Sequence, residues 1–378
     1  MRRRNPRYGA VMPTLRTLAL ILLLLAAGCS SRLRIDEADR GFPGLTQVLQ
    51  GAAGSQGRVH LLVAHGMGEH EPGYGDPIID DLADVIDLDD DGSNEIVTPI
   101  ERDGVVYGHI RTRGLNDPTR GLRLSVHELT WSPIVQEIKR KYIGYDDLPP
   151  HRGRRVMMNG NLKEELINGR FADPIIYLGS FGDAVRYPVE SALMRILESG
   201  DPERDRICII GMSLGSAVLF DVLVAITSKG PAVPGGSGDG HAALVAAWSK
   251  TPLTMFMLAN QLPLLELAKV PPPGGTAPPP PEMIGDHRWP TAIIAISDPN
   301  DLLTYPIGKD FARRYATPGG LQVSWFNVAV SIADTALLGV LADPSAAHVD
   351  HENSEIVLRY LSQGNPSKVD RPRPAHRP

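Results

Sequence analysis

The sequence predicts an α/β protein built on a mostly parallel sheet covered by helices on both faces. Short β-branched runs alternate with segments of helical periodicity from Val59 to Ser362, the rhythm of strand–helix–strand units. The strand-like runs are largely apolar, as strands buried on both faces must be. In "DRICIIGMSLGSAVLFDVL", Asp205 to Leu223, a serine lies between two glycines at a strand-to-helix junction, where such sheets carry their chemistry.

Ahead of the first strand, Met1 to Ser31 joins a basic start, an apolar run from Leu18 to Ala27 and small residues ending at Cys29. That order is a secretory signal, and the run is short for a membrane span. Its end, "LAAGC", resembles a bacterial lipoprotein signal, in which the cysteine is lipidated and becomes the first mature residue. Ala26 stands where leucine is usual. Ser30 resembles the residue that sorts such proteins to the outer membrane. The expected layout is a signal at 1–28, a polar tether at 29–58, one domain at 59–363 and a disordered tail at 364–378.

Within the domain, Val59–Ala64 reads as a strand running into the glycine-containing loop "HGMGEH". Pro77–Asp87 reads as a helix, Leu122–Ser132 as a strand and Pro133–Tyr142 as a further helix. Residues 146–172 are polar and basic where a compact core needs neither, so they form an insertion or cap before the serine. Asp173–Ser199 has helical periodicity, kinked at Pro188. The run Arg206–Ile210 forms the strand before Ser213, and Leu214–Leu223 the buried helix after it. Later strands are read at Leu253–Leu258, Thr291–Ser297 and Leu321–Val330, with a last helix at Asn353–Ser362. Two Gly/Pro-rich loops separate these elements.

Composition narrows the function. A formal charge of −6 on 378 residues offers no basic field for nucleic acid. Beyond Cys29 the only other cysteine is Cys208, inside an apolar strand, so no disulfide framework exists. His65 and His70, five apart on a turn, make a weak zinc site, and His65 is expected to brace its loop. "DLDDDGSNE", Asp87 to Glu95, resembles the start of a calcium loop, but Thr98 stands where a bidentate glutamate is needed, which favours a solvated acidic turn.

The glycines of "GMSLG" permit a tight turn that thrusts Ser213 outward as a nucleophile. The amides of Met67 and Leu214 are the expected donors to a developing oxyanion. A carboxylate should follow a later strand, and "SDPNDLL" offers Asp298 and Asp301. Asp301 is preferred, with Asp298 as the alternative in an Asx turn before Pro299. A base should come last: "AAHVDHEN" offers His348, nearer the strand end, and His351, for which a solvated or capping role is natural.

The order Ser213, Asp301, His348, together with "HGMG", "GMSLGS", "DPNDLL" and "AHVDHEN", resembles the α/β-hydrolases of the lipase and esterase kind from about Val59 to Leu361. The resemblance implies a serine hydrolase acting on carboxylic esters, with no metal or organic cofactor. Its partners would be an ester substrate and a membrane reached through the lipid on Cys29, with no nucleic acid. The acyl group and any protein partner stay open. The rival reading is a surface lipoprotein that keeps the fold as a non-catalytic binding scaffold.

Overall fold

A computed structural model describes residues 41–228, 238–269, 289–333, 335–336 and 341–365. The proposed signal, Cys29 and most of the tail lie outside these residues.

The first described helix, α1 (Leu45–Gly54), falls inside the segment expected to be tether. Its stripe of Leu45, Leu49 and Ala52 is buried in the core, and Phe42 exchanges two backbone hydrogen bonds with Asn365. The folded unit thus starts before residue 45, and residues 364–365 belong to it rather than to the tail.

Strand β1 (Val59–Ala64) leads to helix α2 (Asp76–Ile86) and the short β2 (Asp89–Asp90). The hairpin β3 (Ile96–Arg102) and β4 (Val105–Asp117), absent from the sequence reading, turns at Asp103 and Gly104, both at positive φ. Then come β5 (Leu122–Thr130) and α3 (Ser132–Tyr142). The insertion is helical: a 3₁₀ turn at Gly144–Asp147, α4 (Pro149–Arg152), α5 (Met157–Leu162) and a π-helix at Lys163–Phe171. The helical stretch before Ser213 is two elements, α6 (Ala172–Leu178) and α7 (Gly182–Ser199), and α7 contains Pro188. The serine lies between β6 (Arg206–Met212) and α8 (Leu214–Ile226). The remaining main elements are α9 (Gly238–Trp248), β7 (Leu253–Leu258), α10 (Leu262–Glu266), β8 (Trp289–Ser297), α11 (Lys309–Arg314) and β9 (Leu321–Ala329). A small pair, β10 (Thr335–Ala336) and β11 (Leu341–Ala342), precedes α12 (Pro344–Val349) and α13 (Glu355–Gln363).

The main sheet runs β2-β4-β5-β1-β6-β7-β8-β9, with β3 paired to β4; the six strands from β5 to β9 are parallel and the hairpin is antiparallel. Strand side chains alternate between two cores. Leu62, Ala64, Ile207 and Ile209 enter one, with α7 and α8; Leu61, Val63, Cys208 and Ile210 enter the other, with α1, α2 and α13. This is the α/β-hydrolase architecture, an open, mostly parallel sheet with helical insertions.

The chain leaves β1 toward β5 on one side, whereas β6 to β9 build outward on the other. The crevice at the carboxyl ends of β1 and β6 is therefore the topological switch point of the sheet, where ligands bind in open α/β folds.

Candidate active site

Ser213 follows the last residue of β6 and adopts φ 49 and ψ −122, a conformation that costs an L-residue energy. Surrounding contacts hold it there: its N–H donates to the Leu258 carbonyl at 2.7 Å. A Cβ on Gly215 would lie 2.1 Å from the His65 carbonyl oxygen, and one on Gly66 would lie 2.8 Å from the Ser213 Cβ. Glycine at both positions lets the β1 and β6 loops close on each other.

The strained turn aims the serine at His348. Its Oγ–H donates to His348 Nε2 at 2.9 Å, and His348 Nδ1–H donates to Asp301 Oδ2 at 2.7 Å. The other carboxylate oxygen of Asp301 accepts from the Leu303 N–H at 2.9 Å, which fixes its rotation. The Asp301 side chain is 1% exposed and that of His348 12%, so the chain of bonds is sheltered from water. His348 sits in α12, a short helix rather than a loop, whose N-terminal N–H groups at Ser345 and Ala346 are capped by Asp343.

Each alternative is occupied elsewhere. Asp298, fully buried, accepts from the N–H groups of Ile332 at 2.6 Å, Ala333 at 3.1 Å and Asn300 at 2.8 Å. It does form the Asx turn, and it also pins the chain beyond β9. His351 is not solvated: it is 3% exposed, and its Nδ1–H donates to the His348 carbonyl at 3.2 Å. Burial lowers its pKa to about 4, against a smaller upward pull from Asp301, so the ring is neutral.

The loop after β1 is braced as expected. His65 Nδ1–H donates to the Gly66 carbonyl, which leaves Nε2 to accept from the N–H groups of Trp131 at 3.0 Å and Ser132 at 3.3 Å. Its ring stacks between those of His70 and Trp131, and burial holds its pKa well below the usual histidine range. Among the described residues no group of three or more His, Cys, Asp or Glu could hold a metal. In the acidic segment, Asp91 accepts from the Ser93 N–H and Glu95 pairs with Arg111. Cys208 is buried as a free thiol, its pKa pushed up to about 12.

A residue the sequence reading missed also holds this loop. Asp173 at the start of α6 accepts from the Gly68 N–H at 2.7 Å and pairs with Lys139 of α3 at 2.5 Å. Lys139 in turn donates to the Gly169 carbonyl. Burial raises the Asp173 carboxyl, and the Lys139 ammonium opposes it. Gly68 and Asp173 are 105 residues apart, so no local pattern announces the bond.

Ser213 opens into a cleft of about 430 Å³, walled by Met67, Met212, Leu258 and Val349, with Glu165 and Arg170 from the insertion at its side. A neighbouring hollow of about 560 Å³ shares Glu69 and His70 with it but holds neither Ser213 nor His348. Met67 lines the cleft with Ser213, and Leu214, the residue after the serine, opens a helix of 13 residues, whose N-terminus favours negative charge. Hydroxyl, imidazole and carboxylate in this sequence of bonds are the arrangement of a serine hydrolase, and the chain is an enzyme of that class. No protein-family model and no curated protein matches the sequence.

Proposed function

We propose that the protein hydrolyses carboxylic esters through an acyl-enzyme, with Ser213 as nucleophile, His348 as base and Asp301 as the acid that orients it. The observation that carries this reading is the unbroken Ser213–His348–Asp301 bond chain at the switch point of the sheet. Ser213 Oγ attacks the ester carbonyl carbon as its proton passes to His348 Nε2. Asp301 keeps the Nδ1–H tautomer and stabilises the imidazolium. The carbonyl oxygen, now negative, receives hydrogen bonds from the Met67 and Leu214 amides. Collapse of this intermediate breaks the ester C–O bond, and the departing alkoxide takes the proton from His348. A water molecule then attacks the acyl-enzyme, gives its proton to His348 and releases the carboxylic acid, while Ser213 regains its proton. The apolar walls of the cleft suit an acyl chain, which supports an ester over a polar amide. The chemistry needs no cofactor.

We extend the proposal to location: residues 1–28 act as an export signal, and Cys29 carries lipid that holds the enzyme on the bacterial envelope at the outer membrane. Its support is the order of basic, apolar and small residues before Cys29. Among the described residues no helix is long and apolar enough to cross a membrane.

The decisive experiment is a fluorophosphonate probe followed by a graded series of p-nitrophenyl esters. Wild type should label at Ser213 and turn over esters, whereas Ser213→Ala should stay folded, resist labelling and lose about 10⁴-fold or more in rate. A folded wild type that never reacts would leave the scaffold reading. For location, wild type should take up labelled palmitate and Cys29→Ser should not.

A further inference from the structure

The insertion before the serine exposes more apolar surface than folding explains. Among the described residues 19 large hydrophobic side chains are exposed, and 11 of them lie between Tyr142 and Leu178. Val156, Met157 and Met158 are 73%, 80% and 70% exposed. Neither α5 nor the π-helix after it buries a single residue, although together they carry Met157, Met158, Leu162, Leu166 and Ile167. Such helices find their packing partner outside the protein's own core.

Charge identifies the partner. The chain as a whole is acidic at −6, yet among the described side chains of residues 137–178 five exposed Lys and Arg stand against three exposed Glu, Lys139 being buried against Asp173. Arg140 is 71% exposed, and Lys141 and Arg154 are exposed as well. Flexible apolar side chains set among cations are what an anionic lipid surface accepts: methionines and valine enter between headgroups while Lys and Arg meet the phosphates. The same insertion supplies Glu165, Gly169 and Arg170 to the wall of the Ser213 cleft, so a bilayer bound here would meet the enzyme beside its site.

We propose that residues 142–178 dock the enzyme on an anionic lipid bilayer, with Val156, Met157 and Met158 entering the headgroup layer. The docking depends neither on lipidation of Cys29 nor on ester turnover, being an adsorption equilibrium of the folded domain.

The test attaches a polarity-sensitive fluorophore to Met157→Cys in the full chain, in vesicles of phosphatidylcholine with and without phosphatidylglycerol. The unsubstituted chain, labelled in parallel, measures background from its own thiols. Val85→Cys, on α2 at the opposite face of the sheet, serves as the reference position. The label at 157 should shift blue and be quenched by lipid-borne doxyl groups only where phosphatidylglycerol is present, while the label at 85 stays in water. The pair Lys141→Glu and Arg154→Glu should weaken that binding about tenfold or more. Hydrolysis of a water-soluble ester by this pair should stay near wild type, which separates docking from folding.

A label at 157 that remains in water with both vesicle types overturns the proposal. So does one that shifts with protein concentration in the absence of lipid, which would make the surface a contact between copies. A chain that docks without hydrolysing any ester would overturn the proposed function and leave the docking surface standing.

Discussion

Asp298 and Asp301 lie three residues apart and spend their lone pairs differently. Asp301 faces an imidazole, whereas Asp298 satisfies backbone N–H groups at Asn300, Ile332 and Ala333. Asp301→Asn should therefore keep the fold and lower kcat about 10⁴-fold, because an amide offers His348 the wrong partner for its Nδ1–H. Asp298→Asn should keep kcat in the folded fraction but cost about 1–3 kcal/mol, since an amide nitrogen would face buried N–H donors. Steady-state rates beside thermal melting separate the two. His351 gives a pH test. Its folded pKa, about 4, lies below the ordinary histidine value, so the folded state binds fewer protons in between. Its contribution to stability is complete above about pH 6.5 and declines as pH falls toward 4, by up to about 1.4 kcal/mol per pH unit. Urea unfolding at pH 7.5 and pH 5 should show wild type losing more stability on acidification than His351→Asn.

At the scale of elements, the site depends on how α3, α6 and the β1 loop are tied together. Lys139 and Asp173 are 7% and 0% exposed in their side chains, so neither charge has water to fall back on. Asp173→Ala would strand a buried ammonium and free the Gly68 N–H, at a cost of about 3–5 kcal/mol. Pairing it with Lys139→Met should recover most of that stability without restoring full ester turnover, because the Gly68 loop still lacks its anchor. Calorimetry and kcat on the single and double variants check this; recovery of both together would make the bond purely structural. The elbow is equally constrained by contact between elements. Gly215→Ala brings a methyl group against the His65 carbonyl and should displace the β1 loop, lowering kcat more than it lowers the melting temperature.

For the molecule as a whole, both ends of the folded chain meet at one place. Phe42 pairs with Asn365 and packs against Tyr360, while Leu45, Leu49 and Ala52 fill the face shared by α2 and α13. Two buried leucines and a phenylalanine are worth about 5 kcal/mol or more, comparable with the total stability of a typical domain. A chain begun after Gly57 should then be unfolded or aggregated, whereas one begun at Arg40 should melt cooperatively near the temperature of the longer protein. Circular dichroism on both truncations tests the point. Equal stability would return residues 41–57 to the role of a tether.

The sequence by itself determined the features whose causes are local. Largely apolar runs, broken only by His60 and Thr254, mark Val59–Ala64 and Leu253–Leu258 with their observed ends, because a strand buried on both faces is apolar at nearly every residue. The strand–Ser213–helix junction was legible because glycines and flanking periodicity lie within a few residues of it. Chain order narrowed the acid and the base to two candidates each, but no pattern distinguishes Asp298 from Asp301 or His348 from His351. That choice belongs to distances between strands β6, β8 and helix α12, which only the packed sheet sets. Helix α1 was hidden because three apolar positions among glycines, glutamines and alanines resemble a linker until a core exists to receive them. The Asp103–Gly104 hairpin carries a local turn signal in its Asp-Gly pair, both residues at positive φ. The Asp173–Gly68 bond had none: its partners meet because the insertion folds back over the β1 loop, and contact across 105 residues is a property of tertiary packing alone.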